Sequence, residues 1–546
     1  MIEDAMSRPA SSPRRPSVAP LPAASRPSWV PRWASPSTSG WLSASLALSR
    51  SASTLPTPLP LPLPLPVPSL SPLHSRALPA RSVRRVAALA AALTLAGCTH
   101  FIPPHERPSA PVGVAYPAPM AEASEGTRAA ADMAWQQFFT DPRLRRLLEI
   151  ALQNNRDLRI AALNIEQARA LYDVRRADEL PTLGLGATAQ RQPTANGRVG
   201  SSYAVGLAVT GYELDFFGRV RSLGQVALAR FLATEEARRS AQISLVAAVA
   251  GTHLSLLADE ALLQVTRQAL DTRAESLRLT RLKFDYGAVS ALDVRQAESL
   301  YESARATLAQ TLRQRALDEA ALVLLIGQPL PAELPAPQAL DRGQLAADLP
   351  AGLPSDLLER RPDIRAAEQQ LRAADANIGA ARAAFFPRIS LTGTLGSAST
   401  QLGDLFQSGT YAFTGTGQLL APLFDAGRNR ANLQAARVDR EIAVAQYERA
   451  IQSAFREVSD ALAGRATLGE QLRAQLALRD AEEARYKLSD LRYRNGASSF
   501  LEVLDAQCSL FIAQQGVVQV QAAQVQNLVT LYRVLGGGWN DAPPSP

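Results

Sequence analysis

Between Gly218 and Gln328, and again between Leu423 and Ala542, the chain contains no proline. Both runs are rich in Ala, Leu, Arg, Glu and Gln, which are good helix formers. Each is punctuated once, by YGAVSALD at residues 286–293 and by NGASSFLE at residues 495–502. There a glycine can end one helix, and the serine three residues later can cap the next. The pattern predicts long helices over about 218–327 and about 427–535. A helix from Arg219 to Tyr286 would measure about 100 Å at 1.5 Å per residue. No compact domain needs such a length. The runs imply a coiled-coil-like rod whose helices are supported by neighbours on more than one side.

The two runs belong to a tandem duplication, the kind of repeat that decides an architecture. RDLRIAALNIEQARALYDVRRADELPTLGLGAT (156–188) aligns with PDIRAAEQQLRAADANIGAARAAFFPRISLTGT (362–394) at an offset of 206, with ten identities. RLKFDYGAVSALDVRQAESL (281–300) aligns with DLRYRNGASSFLEVLDAQCS (490–509) at an offset of 209, with seven. LDFFGR and LFDAGR (214–219, 423–428) keep the second offset, as do LIG and VLG (325–327, 534–536). The change falls between the two sets, where a hairpin loop of different length would put it. The expected units are residues 124–328 and 362–536, joined by 329–361 and followed by a tail, 537–546.

Each unit opens with a helix of moderate length ending at Pro181 or Pro387. Period-two alternation follows, as in half-buried strands, and predicts hairpins over about 182–216 and about 388–424. In the first, Leu183, Leu185, Tyr203, Val205, Leu207 and Val209 share a face, while Thr182, Gly184, Gly186, Ala204 and Gly206 take the other. In the second, Ile389, Leu391, Leu395, Tyr411 and Phe413 oppose Ser390, Thr392, Thr394 and Thr414. An apolar outer face over a small or polar inner face describes a transmembrane barrel wall. A soluble two-sheet sandwich gives similar alternation. Four strands cannot close a barrel, since single chains start at about eight, and lipid does not tolerate an open edge. Other copies of the chain are therefore expected to complete it.

Residues 1–80 hold seventeen of the 38 prolines, a composition that cannot bury a core. RSVRR follows, then a ten-residue run, Val86 to Leu95, apolar but for Thr94, then small residues and Cys98. This order makes a secretory signal over 81–97. Ten residues are too few to span a bilayer, which needs about 20. LAGC (95–98) has the order of a lipobox, making Cys98 the lipidation site and 98–123 an anchored linker. Residues 1 to about 80 are then either sequence upstream of a true start at Val83 or Leu78, or a genuine disordered extension before the signal.

The net charge of +7 does not mark a nucleic-acid surface. Residues 1–97 carry ten Arg against Glu3 and Asp4, leaving about −1 for everything from Cys98 onward. The lysines are Lys283 and Lys487, the cysteines Cys98 and Cys508, and the histidines His74, His100, His105 and His253. None of these spacings suits zinc or haem, and neither a nucleotide loop nor a nucleophile elbow is present. The chain is expected not to be an enzyme. Cys508, in SFLEVLDAQCSL, is read as a packed small hydrophobe.

The lipobox, the duplicated units, the turn motif YRNGASSFLEVLDAQ (493–507) and the ending LYRVLGGGW (531–539) together resemble a known family. They are similar to the TolC-like outer-membrane efflux proteins, in the OprM-like or NodT-type lipoprotein branch. The resemblance runs from Cys98 to about Asn540. It implies a mixed α and β membrane protein, a homotrimer whose pooled strands form one outer-membrane β-barrel. A long α-helical tunnel would continue it through the periplasm, with an equatorial belt from residues near 124–150, 329–361 and the C-terminus. The implied function is passive: an inner-membrane pump supplies energy, a periplasmic adaptor bridges, and this chain is the exit. No cofactor is implied beyond a covalent lipid on Cys98.

The resemblance also assigns residues. Adaptor-contacting tips map onto Tyr286, Gly287, Ala288, Val289 and Ser290, and onto Asn495, Gly496, Ala497, Ser498 and Ser499. The periplasmic gate maps onto Leu501, Glu502, Asp505 and Asp293. Leu501 and Asp505 are four apart and share a helix face, so an apolar ring and an acidic, cation-selective ring are expected. Some members lock the closed tip through an Asp–Tyr–Arg link. Asp293 and Tyr493 match it, but Ser498 stands at the Arg position. The rival readings are a periplasmic adaptor lipoprotein and a coiled-coil envelope lipoprotein. An adaptor needs lipoyl and barrel modules flanking one hairpin, and a scaffold has no use for the strand alternation.

Overall fold

The computed structural model describes residues 101–113, 115–117, 132–193, 197–341, 343, 345, 349 and 356–540, all within a unit that comprises residues 78–546. The proline-rich segment, the signal-like run and Cys98 lie outside the described residues.

The first repeat contains helices α1 (Trp135–Phe138), α2 (Pro142–Asn154) and α3 (Arg156–Ala177), strands β1 (Leu183–Pro193) and β2 (Val199–Leu214), and helices α4 (Arg219–Asp285) and α5 (Ala291–Ile326). The linker contains α6 (Asp356–Arg360), and the second repeat contains α7 (Pro362–Ala383), β3 (Arg388–Ser399), β4 (Tyr411–Leu420), α8 (Arg428–Arg494) and α9 (Phe500–Val534). Helices α4 and α8 each run 67 residues, about 100 Å at 1.5 Å per residue. Each begins after a left-handed glycine, Gly218 or Gly427, which turns the chain out of the sheet. Asn155 both ends α2 and caps α3, accepting from the Leu158 amide at 2.8 Å and donating to the Leu325 carbonyl at 2.8 Å.

The four strands form one antiparallel sheet in the order β1-β2-β3-β4. The β2–β3 pairing joins the two repeats. Its register sets Leu207 opposite Leu395, while Leu185 faces Leu207 from β1 and Phe413 faces Leu395 from β4. One apolar stripe thus crosses the whole sheet. Between Val209 and Tyr212 the register shifts, with Gly211 at φ +66 and its amide accepted by the Thr392 hydroxyl at 3.1 Å. This bulge inserts one residue and keeps Tyr212 and Leu214 on the face that Val209 occupies. The first loop is shorter than the alternation suggests, because pairing continues through Arg191–Ser201 to Pro193–Val199. Ladder hydrogen bonds need backbone, not apolar side chains. Strand β4 stops at Leu420, where Pro422 has no N–H to offer.

The sheet is uncovered. Leu185 is 79% exposed, Phe413 74% and Leu419 64%, values that no water-facing sheet would choose for its apolar face. The packed core lies elsewhere, where α1 and α2 meet the middles of the long helices. There Trp135, Phe138, Phe139, Leu144 and Leu148 bury themselves against Val249 and Leu254 of α4, Ile451 and Val458 of α8, and Leu528 and Tyr532 of α9. Phe138 stacks on Tyr532 at 4.1 Å, and the Tyr532 hydroxyl donates to the Met133 carbonyl at 2.7 Å. Leu345, Leu349 and Leu357 from the inter-repeat linker join the same cluster. Among the described residues one helix, α4, is long and apolar enough to cross a membrane by length and composition. Its apolar stretch is the one built into this core.

Residues 101–107 run back along α7. The Arg382 guanidinium donates to the Phe101 carbonyl, His105 bonds Asp375 at 2.9 Å, and Arg107 bonds Glu368 at 2.9 Å. Phe101 stacks on Phe386 at 4.8 Å, and Phe386 on Phe217 at the same spacing. The start of the described chain is therefore held where helices give way to strands.

Candidate functional site

Both helix turns close in the same way. At the first, the Gly287 amide donates to the Phe284 carbonyl and the Ala288 amide to the Lys283 carbonyl, both at 2.8 Å. At the second, the Gly496 amide reaches the Tyr493 carbonyl at 3.0 Å and the Ala497 amide the Arg492 carbonyl at 2.9 Å. These are paired Schellman bonds, and they require the left-handed glycine seen at Gly287 (φ +70) and Gly496 (φ +72). Asn495 caps its own helix end by donating to the Leu491 carbonyl at 2.8 Å. Around these bonds the tips are open to solvent. Tyr286 is 82% exposed, and Leu292 and Leu501 are more than half exposed.

The following helices start differently. Ser290 and Asp293 form a complete capping box, the carboxylate accepting from the Ser290 amide at 2.9 Å and from its hydroxyl at 2.6 Å. The Ser290 hydroxyl and amide hold the Asp293 carboxyl below its ordinary range. Ser499 occupies the equivalent cap without a side-chain bond. Its partner position is Glu502, one methylene longer, and that carboxylate turns instead toward Arg492 at 3.5 Å.

The structure changes the reading of the gate acids. Asp293 is a helix cap, occupied by Ser290. Asp505 is ion-paired with Arg485, whose guanidinium also meets Glu482 at 3.1 Å and the Ser509 hydroxyl at 3.3 Å. Arg485, Leu488, Arg492, Leu501, Glu502 and Asp505 line one groove of about 850 Å³ between α8 and α9. Leu501 and Asp505 do share a helix face there, but cations accompany the acids within the same chain.

The two tips are joined within the chain by a link other than the Asp–Tyr–Arg one, which Ser498 already left incomplete. Within this chain Tyr493 does not bond Asp293. Its hydroxyl accepts from the Lys283 ammonium at 3.0 Å, the ammonium sits 4.5 Å from its ring centre, and the ring packs on Phe500 at 5.2 Å. Lys283, from the end of α4, thus ties the first-repeat tip to the second. Ser498, at the position of the missing Arg, has a buried hydroxyl with no hydrogen-bond partner.

Sequence reasoning missed Lys283, Arg485 and Arg492. A signal existed for the arginines. In an antiparallel helical hairpin, residues equidistant from the turn face each other, and 485 with 505, or 492 with 502, are nearly so about Gly496. Farther from the tips, Arg273 is buried between α4, α5 and α9 with its guanidinium 4.9 Å over the Phe511 ring. It donates to the Leu300 carbonyl at 3.0 Å, and burial lowers its pKa from the ordinary arginine value.

The model of the family described as "Outer membrane efflux protein" matches residues 147–328 and 353–537, which covers both repeats. The chain belongs to the outer membrane efflux protein family. It is 48% identical over 460 residues to the solvent efflux pump outer membrane protein SrpC of Pseudomonas putida, covering 82% of this chain and 97% of that one. It is 46% identical over 464 residues to the outer membrane protein OprJ of Pseudomonas aeruginosa, covering 84% and 96%. Among solved structures, the open-state MtrE outer membrane channel of Neisseria gonorrhoeae aligns with a TM-score of 0.74 at 39% identity, covering 81% of this chain and 99% of that one. A membrane protein of Pseudomonas aeruginosa aligns with the same score at 44% identity, covering 80% and 100%. This efflux protein is an outer-membrane exit channel.

Proposed function

We propose that three copies of the chain pool their four-stranded sheets into one twelve-stranded barrel, continued below the membrane by the bundled long helices. One observation carries this reading. Among the described residues β1 and β4 pair on one side each, and the apolar stripe between them is bare. Lipid tolerates such a stripe but not the open edges. The assembly is a passive duct without catalytic chemistry, fed by an inner-membrane pump through a periplasmic adaptor that docks on residues 286–290 and 495–499. Relatives are named for efflux of solvents, toluene and antibiotics, which supports small organic molecules as the cargo. Outer-membrane fractions should contain the protein as a trimer that resists unfolding in detergent below boiling temperature. A monomer, or a dimer, under those conditions would refute the assembly.

The proposed duct is also lipid-anchored through Cys98. Phe101, three residues later, is held at the strand–helix junction by Phe386 and Arg382, so an acyl chain on Cys98 would enter the leaflet beside the barrel foot. Two or more acyl chains give stable anchoring at about 0.8 kcal/mol per buried CH₂. Labelling by a palmitate analogue should vanish in Cys98→Ala while the trimer still inserts. Undiminished labelling in that variant would place the lipid elsewhere.

A further inference from the structure

All four connections between helix and strand leave the sheet at one end, where Leu183 pairs with Val209, Leu214 with Ile389 and Arg388 with Leu420. The connecting segments, 175–182, 213–221, 382–388 and 425–430, contain eight arginines against five carboxylates. The chain from Cys98 onward is slightly negative as a whole, so this end of the sheet holds a local excess of cation. Its carboxylates are engaged elsewhere. Arg219 grips Glu213 at 2.6 and 2.8 Å, Arg175 meets Asp178 at 3.3 Å, and Asp215 and Asp425 accept backbone amides at the starts of α4 and α8. Glu179 lies beside Gly224. Among the described residues Arg221 and Arg382 form no ion pair.

The sheet tells which side these two arginines occupy. Glu213 pairs with Ser390 and alternates with Tyr212 and Leu214, so it lies on the small and polar face, and Arg219 reaches it there. Arg221 is two residues on, about 200° around the helix at 3.6 residues per turn. It therefore projects on the side of the bare apolar face. It is exposed, and with Ile102 and Pro103 it lines a groove of about 580 Å³ between α4 and α7. Arg382 donates to the carbonyl of the preceding residue, Phe101, at 3.1 Å. Phe101, Phe386 and Phe217 stack beside them, each pair at 4.8 Å. The order from the sheet downward is thus apolar wall, aromatic rings and unpaired cation, which is the order of a bilayer from acyl chain to headgroup.

We propose that Arg221 and Arg382 bind the phosphate of an acidic glycerophospholipid in the periplasm-facing leaflet, with its acyl chains against the apolar stripe of the sheet. This rests on the barrel reading, which puts that stripe in lipid. A guanidinium matches phosphate oxygens with a fork of N–H donors. A soluble phosphate would engage neither the rings nor the stripe, whereas a lipid engages all three. A zwitterionic lipid brings its own cation to the phosphate, so the acidic class is preferred, by about fivefold for each guanidinium.

The test offers full-length trimers in detergent an equimolar mixture of phosphatidylglycerol and phosphatidylcholine and counts retained lipid by native mass spectrometry. Wild type should favour phosphatidylglycerol by about twentyfold. Arg221→Gln should lower that preference about fivefold, Arg221→Lys should keep most of it, and Arg221→Gln with Arg382→Gln should abolish it. Arg388→Gln, on the polar face with Ser390, is the control and should change nothing. Excess glycerol 1-phosphate should not displace the lipid; displacement would mean a site for soluble phosphate and overturn the proposal. No preference in wild-type trimers, or one that survives both glutamines, would overturn it and leave the barrel standing. A wild-type protein that forms no trimer would overturn the barrel and this site with it.

Discussion

Gly496 shows how one residue can carry a function without touching a ligand. Nothing lies within 4 Å of where its Cβ would be, so a side chain there meets no steric obstacle. The obstacle is conformational, because φ of +72 suits glycine and penalises a β-branched residue most. Gly496→Val should therefore cost about 1–3 kcal/mol locally and unseat the turn that presents Ala497 and Ser498. Drug susceptibility of a complemented deletion strain should rise while trimer amounts in the outer membrane stay normal. Unimpaired export would remove this tip from the docking surface. That glycine was legible from its place in NGASSFLE, between a helix end and a serine cap. The tie between Lys283 and Tyr493 was not, because those residues stand 210 positions apart and belong to different repeats.

At the scale of elements, the closest approach in the sheet is where the repeats join. Gly206 and Gly396 are opposed across β2 and β3, and a Cβ on Gly396 would collide with the Val205 carbonyl oxygen and the Gly206 Cα. Both obstacles are backbone, so they cannot step aside as a side chain would. Gly396→Val should force the strands apart, cost about 1–3 kcal/mol and lower the temperature at which the detergent-resistant assembly dissociates. Gly393→Val is the control, since its nearest neighbour, the Thr414 carbonyl oxygen, would sit at an ordinary 3.5 Å. Equal behaviour of the two variants would show that strand spacing is not limiting. The alternation of these strands was readable because side-chain direction has a period of two. The bulge at Gly211 was hidden by that same rule, which assumes an unbroken ladder.

For the whole molecule, acidity should bear on the packing of α4 against α5. Asp259 is 6% exposed on α4, and its carboxyl pKa is pushed up to about 6 by burial and then by the neighbouring Asp318 of α5, with Glu260 adding to the rise and Arg315 opposing it. The folded state thus holds a proton that an unfolded Asp, at about 3.9, releases. The stability that goes with the proton is fully present below about pH 4 and is lost as pH rises through about 6. At pH 7.5 a buried charge remains, costing about 1–3 kcal/mol. Asp259→Asn should raise the melting temperature at pH 7.5 more than at pH 5. An equal rise at both values would mean that Asp259 does not titrate in this window. His253, buried against Asp141 at 2.9 Å, lies on the same helix nearer the core. Burial acts to raise the Asp141 carboxyl, but the His253 ring and the Arg143 and Leu144 amides outweigh it and hold the group below its ordinary value.

What the sequence determined by itself was everything set within a few residues or by repetition. Helix length followed from propensity and the absence of proline, the turns from glycine and serine, the strand faces from alternation, and the duplication from constant offsets. The motif at 493–507 by itself resembles the family to which the chain belongs. What only the tertiary structure decided was which charges meet. Glu502 and Asp505 look like a bare acidic ring in one dimension and are ion-paired in three. Asp293 resembles part of a lock and turns out to cap a helix. The uncovered sheet likewise became visible only when β2 and β3 paired across the repeats. Local preferences depend on neighbours along the chain, whereas charge pairing and sheet order depend on the register and distance between packed elements.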